Sequence, residues 1–256
     1  MRNWTMAIAP LALALTATGC SGADGGEKQA KGETTRPTNS DAGPMTTQNY
    51  ALTGFTSVEV AGPDDVTIRR GDSFSITAKG PKAEIDRLEI KLDGSKLVIG
   101  RKREGFSFSS NDDDEDVEIA ITLPKLDGVR LTGSGSIDAD TIDGDAIKAV
   151  LTGSGDLKVA KFDGRKAEIT LSGSGDIEIG AGTIATGDLS VAGSGDIDAK
   201  GLVAQTLDIA IAGSGSVDAQ ATAKADISIL GSGDVKLTGG ATCSTSQVGS
   251  GTATCS

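Results

Sequence analysis

Residues 171–180 read Leu-Ser-Gly-Ser-Gly-Asp-Ile-Glu-Ile-Gly. Apolar side chains two positions apart stop at Gly173-Ser174-Gly175 and resume at Ile177 and Ile179. Counting by two from Leu171 passes through both glycines and lands on Ile177, so the apolar phase runs straight through the interruption. The glycines fall where side chains point inward, and Ser174 and Asp176 point outward. A chain that turns a corner crowds its inner wall, and a missing side chain permits the bend.

The motif recurs. Gly-Ser-Gly begins at Gly133, Gly153, Gly173, Gly193, Gly213, Gly231 and Gly249, and its second glycines in the first six copies are Gly135, Gly155, Gly175, Gly195, Gly215 and Gly233. The first four intervals are 20 residues and the last two are 18. A period of this length is the mark of a solenoid. After each motif an apolar column follows (Ile137, Leu157, Ile177, Ile197, Val217, Val235, Ala253), and a second stands two residues further on. Before each motif the same alternation appears, as in Ile147, Ala149 and Leu151. Mid-coil pairs such as Asp143-Gly144 and Asp163-Gly164 carry turn chemistry. Each coil therefore reads strand, corner, strand, corner, with no helical period between strands. The expected fold is all-β, a right-handed parallel β-helix with coils of about 18–20 residues rising about 4.8 Å each. A sandwich of hairpins would place polar turns at both strand ends and would need no fixed register.

Residues 51–130 lack the motif but keep short alternating strands, among them Val58-Glu-Val60, Val66-Thr-Ile68 and Val117-Glu-Ile119-Ala-Ile121. Four of the five phenylalanines lie in this half, which suits a wider or capping end. The domain boundaries read as 1–19, 20–50 and 51–256, with irregular coils to about 130 and repeat coils over 131–256.

Composition narrows the chemistry. The chain of 256 residues has a net charge of −12 and no histidine. An acidic surface argues against nucleic acid as a partner. The lack of histidine removes the usual general base and the commonest metal ligand. No cofactor is implied.

The N-terminus is an address. Arg2 precedes an Ala/Leu-rich run too short to span a bilayer, which reads as a signal peptide over residues 1–19. Ala17-Thr18-Gly19-Cys20 resembles a bacterial lipobox, in which cleavage precedes a cysteine that is then lipidated. Acyl chains on Cys20 would make the membrane a partner through an anchor. Ser21 follows, where lipoproteins retained at the inner membrane often carry Asp, so that resemblance favours the outer membrane, with the protein facing periplasm or surface. Residues 20–50 are polar and poor in apolar side chains and read as a flexible tether.

The strand at Phe55, Val66-Thr-Ile68-Arg-Arg-Gly71 and the repeats Leu151-Thr-Gly-Ser-Gly-Asp156, Leu171-Ser-Gly-Ser-Gly-Asp176 and Val191-Ala-Gly-Ser-Gly-Asp196 together resemble the head-GIN-domain family. These are bacterial envelope proteins labelled autotransporter adhesins. The resemblance covers roughly residues 52–250. It implies a β-helical fold and a cell-envelope address, and it supplies no catalytic residue to carry over.

Three constellations remain. Asp156, Asp176, Asp196 and Asp234 follow their motifs, with Ser136, Ser216 and Thr252 in other coils. Stacked carboxylates suggest calcium, with Asp156, Asp176 and Asp196 as the candidates. The alternative is that Asp, Ser and Thr each offer an oxygen to a nearby backbone N–H at the corner. The acidic run Asp112–Asp116, beside Arg101, Lys102 and Arg103, reads as a solvated loop; Phe106 and Phe108 in it suit either a contact tip or a lid. Cys243 and Cys255 fall on inward columns of the last coil and a half and suit a disulfide in an oxidising compartment. Small outward residues before the motif, such as Thr152, Ser172, Ala192 and Ala212, form a nearly uncharged strip. The sequence thus points to a non-catalytic envelope lipoprotein that presents a rod for structure or for binding a protein or glycan. A carbohydrate-active β-helix such as a polysaccharide lyase is the alternative, disfavoured because Phe162 is the only aromatic in the repeats.

Overall fold

The computed structural model describes residues 44–102 and 117–256. Nine elements precede the repeats: β1 (Met45–Asn49), β2 (Ser57–Gly62), β3 (Asp65–Arg70), β4 (Ser75–Pro81), α1 (Lys82–Arg87), β5 (Leu88–Asp93), β6 (Lys96–Arg101), β7 (Glu118–Leu123) and β8 (Gly128–Gly133). Five long strands follow: β9 (Ser136–Gly153), β10 (Asp156–Gly173), β11 (Asp176–Gly193), β12 (Ile197–Gly213) and β13 (Ser216–Gly231). The last coil is built from β14 (Asp234–Thr238), β15 (Thr242–Gly249) and β16 (Thr252–Cys255).

Neighbouring repeats pair parallel and in register. Leu157 lies between Ile137 and Ile177, and Leu171 between Leu151 and Val191. The fold is a parallel β-solenoid. The inward columns are buried up to the last coil: Ile137, Leu157, Ile177, Ile197 and Val217 are each at most 1% exposed, whereas Ala253 in β16 is only half-buried. The mid-coil pairs do not end a strand, contrary to the expected second corner. Asp143 and Gly144 lie within β9 and pair with Asp163 and Gly164 in β10. Pairing between β9 and β10 lapses only at residues 140 and 145, which divides a coil into three short sides plus the Gly-Ser-Gly corner. A bend in a strand costs no ladder bond when the coils above and below bend at the same place, so turn residues here mark a bend and not a break.

The corner glycines answer to the coil beneath them rather than to a pinched inner wall. The Ser174 N–H donates to the Gly153 carbonyl at 3.0 Å, and the Gly175 N–H donates to the same oxygen at 3.2 Å. That oxygen stands where a side chain on Gly173 would begin, and Gly173 has φ +131°. A Cβ on Gly175 would overlap the Gly155 carbonyl and lie 3.0 Å from Leu151 Cδ2. The side chain is missing because the coil-to-coil hydrogen bond occupies its place.

The shorter coils keep this corner and shed residues elsewhere. Between β12 and β13 the register holds through Ala199–Ala219, then jumps to Val203–Gln220, so Lys200, Gly201 and Leu202 have no counterpart. One residue is regained between Ala204 and Thr206, which leaves the 18-residue period.

The irregular half joins the same stack by an interleaved path. β2 lies between β6 and β8, and β3 between β7 and β9. The chain thus lays down one coil, builds the layer outside it, and returns through Leu123–Asp127 to the other side. Gly62 aligns with Gly133 and Asp65 with Ser136. Gly62-Pro63-Asp64 is therefore the same corner with Asp in place of the second glycine. Beyond β6 and β7 the stack closes with antiparallel strands: β5 on β6, β4 on β7, and β1 on β4. The short helix α1 joins β4 to β5; six residues are too few to show a helical period in sequence. Met45–Asn49, read in the sequence as the end of a tether, forms β1. Its side chains are mostly exposed, so its order comes from backbone pairing with β4 and not from burial.

Asp64 brings a charge into this end. It is 0% exposed, and its Oδ1 accepts from Arg101 Nη2 at 2.7 Å and from the Val117 N–H at 3.4 Å. Arg101 also binds Glu84, which accepts from Arg87 Nη1 at 3.1 Å. Arg101 closes β6, the layer below the Asp64 corner, so the ion pair ties two coils together.

Two expected outcomes follow from these contacts. In urea unfolding, Gly173→Ala loses about 2 kcal/mol or more, because it combines overpacking with an unfavourable φ, while Ser174→Ala stays within about 0.5 kcal/mol. Arg101→Met loses about 3–5 kcal/mol by leaving Asp64 buried without its cation, and Asp64→Asn in the same chain recovers part of that loss.

Candidate functional site

Stacking converts each outward position into a column of side chains at strand spacing, so the surface is read by columns. Lys148, Glu168, Asp188, Asp208 and Asp226 succeed one another in register from β9 to β13. Ala146, Lys166, Thr186, Thr206 and Lys224 form the parallel column two residues earlier on the same side of the coil. Between the two columns the buried positions Ile147, Ala167 and Gly187 shrink from coil to coil and leave a concavity by the third. The result is a shallow groove of about 420 Å³ lined by Lys148, Lys166, Glu168, Thr186 and Asp188 with these small residues. It continues into a second hollow of about 310 Å³ that shares Ala146 and Lys148 and adds Glu59, Lys96 and Arg130. The groove thus crosses several coils along the stack.

Its charges vary along its length. Lys96 Nζ meets Glu59 at 2.7 Å, and Lys148 Nζ meets Glu168 at 2.7 Å. The hydrogen bond to Glu59 raises the Lys96 pKa. Further along, the run Asp188, Asp208, Asp226 is acidic. Burial, then Asp208, then Glu168 push the Asp188 carboxyl above its ordinary range. Just before these columns, where the pairing lapses, the opposite holds: Arg165 binds Asp145 through two nitrogens at 2.6 and 2.7 Å and holds its carboxyl below the usual range.

The Asp column at the corner works between coils. Asp176 Oδ1 accepts from the Asp196 N–H at 3.1 Å. Asp196 Oδ1 accepts from the Ser216 N–H at 2.7 Å and its hydroxyl at 2.6 Å. Asp234 does the same for Thr252, at 2.9 and 2.6 Å. Asp65 continues the column downward and accepts from the Ser136 hydroxyl at 2.6 Å. Asp, Ser and Thr interchange here because an acceptor in one coil meets a donor in the next. Among the described residues no group of three or more acidic or cysteine side chains is arranged to hold a metal ion, Asp156, Asp176 and Asp196 included.

Cys243 and Cys255 are joined, with an S–S distance of 2.11 Å and a separation of 12 residues. A loop of that length contributes about 3 kcal/mol on the chain-entropy account. The small strip lies where the alternation puts it, with Thr152, Ser172, Ala192 and Ala212 in one column, and it ends in Leu230 and Val248. Cys20, the stretch 1–19 read as a signal peptide, Phe106, Phe108 and the acidic run Asp112–Asp116 lie outside the described residues. Two groupings were not evident in sequence: the acidic column of the groove, and the Asp64–Arg101–Glu84 cluster. Spacing would have found the first, since Glu168, Asp188 and Asp208 are 20 apart.

Comparison with known proteins agrees with this architecture. Residues 54–241 match the family model described as "Putative auto-transporter adhesin, head GIN domain". The chain belongs to this family. A solved structure from Bacteroides fragilis, described as a "putative adhesin", superposes with a TM-score of 0.74 at 20% identity, covering 83% of this chain and 97% of that one. A "putative lipid binding protein" from Parabacteroides distasonis gives 0.64 at 23% identity, covering 84% and 97%. A "putative adhesin" from Parabacteroides merdae gives 0.61 at 18%, again covering 84% and 97%. At these identities the likeness is one of fold. No curated protein matches the chain.

The Asp188 shift sets a direction of pH dependence. A carboxyl whose pKa is raised on folding binds more protons in the native state, so stability falls as pH rises from the ordinary carboxylate value through the raised one. Asp188→Asn is therefore expected to raise the melting temperature at pH 7. The gain shrinks towards zero as pH drops below the ordinary carboxylate range, read by melting curves of both chains from pH 3 to 7.

Proposed function

We propose that this family member is a lipid-anchored, non-catalytic binding module of a bacterial envelope. Cys20 carries the anchor, and residues between it and β1 act as a tether that holds the solenoid clear of the membrane. The solenoid presents a surface to a partner. The observation that carries the binding reading is the groove, which crosses several coils and is lined by Lys96, Lys148, Lys166, Glu168 and Asp188. A long, shallow, ionic trough suits an extended charged segment better than a compact small molecule, which binds in an enclosed and mostly apolar pocket. Its lining contains no aromatic ring of the kind that stacks on sugars. A protein partner is therefore the favoured ligand, and a glycan is the competing outcome.

Both parts are open to test. Cys20→Ala is expected to move the protein from the membrane fraction to the soluble fraction and to abolish incorporation of labelled palmitate; unchanged fractionation and labelling would refute the anchor. The full Cys20→Ala chain, immobilised, is expected to retain an envelope protein that elutes with salt, as charge-mediated contacts are screened. Lys148→Glu with Lys166→Glu is expected to release it. Retention unaffected by both salt and the charge reversal, or hits confined to a glycan array, would overturn the protein-binding groove.

A further inference from the structure

Three of the described strands hold no buried residue: β1, β15 and β16. The last two are joined to each other by the Cys243–Cys255 disulfide. β1 has no such tie. Every other described strand places at least one side chain in the core. Even β5, at the same end of the stack, buries Leu88 and is closed onto β6 by the turn at Gly94.

β1 is fastened by backbone groups. The Pro44 carbonyl accepts from the Lys82 N–H at 3.1 Å, and the Tyr50 N–H donates to the Ile76 carbonyl at 3.0 Å. Between these points Met45–Asn49 pairs antiparallel with residues 81 to 77. The alternation of an antiparallel ladder then sets the N–H groups of Thr46 and Gln48 on the carbonyls of Gly80 and Ala78. The side-chain bond from Thr77 Oγ1 to Asn49 Oδ1, at 2.8 Å, is exposed. Bonds open to water, with no burial behind them, mark the part of a structure that opens most readily. The fastening then changes character. Tyr50 and Leu52 are partly buried against the core, and Phe55 is wholly buried with its ring 5.0 Å from that of Phe74. β2 follows at once and is paired on both sides, with β6 and with β8.

We propose that β1 is a release strap: pulled from its upstream end, it peels from β4 one rung at a time, Met45 first, and the peel stops at Phe55. The load falls on the outermost rung alone, because nothing but backbone pairing holds the rungs behind it. Tyr50 and Leu52 slow the peel, and the buried ring ends it. Residues 45–54 are ten residues of chain, a contour of roughly 30 Å. The rod gains that reach without losing its fold, because β4 keeps its pairing with β7 and no inward column is disturbed. The load itself rests on the anchored reading given above. The peeling does not, and it is measured without the anchor.

The test uses the full Cys20→Ala chain. The Thr46 and Gln48 amides are expected to exchange at least about 100-fold faster than those of β7, at a rate that low urea leaves unchanged, because opening β1 exposes almost no apolar surface. Gln48→Pro removes one rung's donor and is expected to leave the melting temperature unchanged. With handles at Asp41→Cys and Lys161→Cys and the native disulfide left oxidised, optical tweezers are expected to show a reversible first transition that gains roughly 30 Å of contour. That transition is expected to be missing from the Gln48→Pro chain. Thr46 and Gln48 amides as slow as those of β7 overturn the strap. So does a Gln48→Pro chain that melts earlier, since β1 then belongs to the cooperative fold. A first transition that gains twice the expected length or more overturns the stop at Phe55, because β2 has left as well. Failure of the anchored reading shows in the fractionation of Cys20→Ala alone, so the two failures are told apart.

Discussion

The structure depends on one repeated hydrogen bond. At each corner the first glycine's carbonyl accepts from the serine N–H of the coil that follows, as Gly153 does from Ser174 and Gly173 from Ser194. For that oxygen to reach its donor, the next coil's glycine must have nothing on its Cα facing down the stack. The corner is thus fixed in composition and in position, and the rest of the coil is fitted to it. Coils of 20 and 18 residues share the corner without distortion because the difference is expelled at Lys200–Leu202 on another side. Once the corner is in register, inward side chains lie on their counterparts, and aliphatic columns form with Phe162 the only aromatic residue buried among the repeats.

This dependence explains which parts could be read from sequence. In the repeats, a period of two names the buried face and a period of 20 names the neighbour, so Leu157 could be placed between Ile137 and Ile177 directly. Upstream the first signal survives and the second is lost. Val58 and Val60 announce a buried face, but nothing local says that their neighbours are Leu97 on one side and Val129 on the other. The interleaved path separates neighbours in space from neighbours in sequence. The corner at Gly62-Pro63-Asp64 was also illegible, because a charged residue takes the glycine's place and its partner, Arg101, lies 37 residues on. β1 escaped for another reason. A strand held by backbone pairing alone has no side-chain pattern to report.

The candidate site shows the same division. An outward position tells its chemistry only after stacking, since one Asp at a strand surface means little and a column of them is an electrostatic feature. Asp176 and Asp196 read as possible cation ligands in isolation, yet in register each acts as an acceptor for the coil above. Asp188 is the contrary case. It has acidic neighbours on both sides, Glu168 and Asp208, and its carboxyl is raised by burial and by them. The two columns differ because at the corner a backbone N–H comes within reach, whereas on the flat side the ladder already uses it.

Such a scaffold separates the residues that fold from the residues that bind. Inward columns and corner glycines are constrained by the coils on either side, and a change in one coil is felt in the next. Outward columns carry little of that burden: Lys, Glu, Asp and Thr follow one another along the groove without altering the register beneath. Solved relatives at 18–23% identity keep the fold over more than four-fifths of this chain, as expected if the inner lattice is held and the outer columns drift. Shared architecture in this family therefore carries no information about a shared ligand. What distinguishes one member's surface from another's is the order of its outward side chains along the stack, which in this chain runs from the paired cations Lys96 and Lys148 to an acidic run that begins at Asp188 and ends where Asp226 pairs with Lys224.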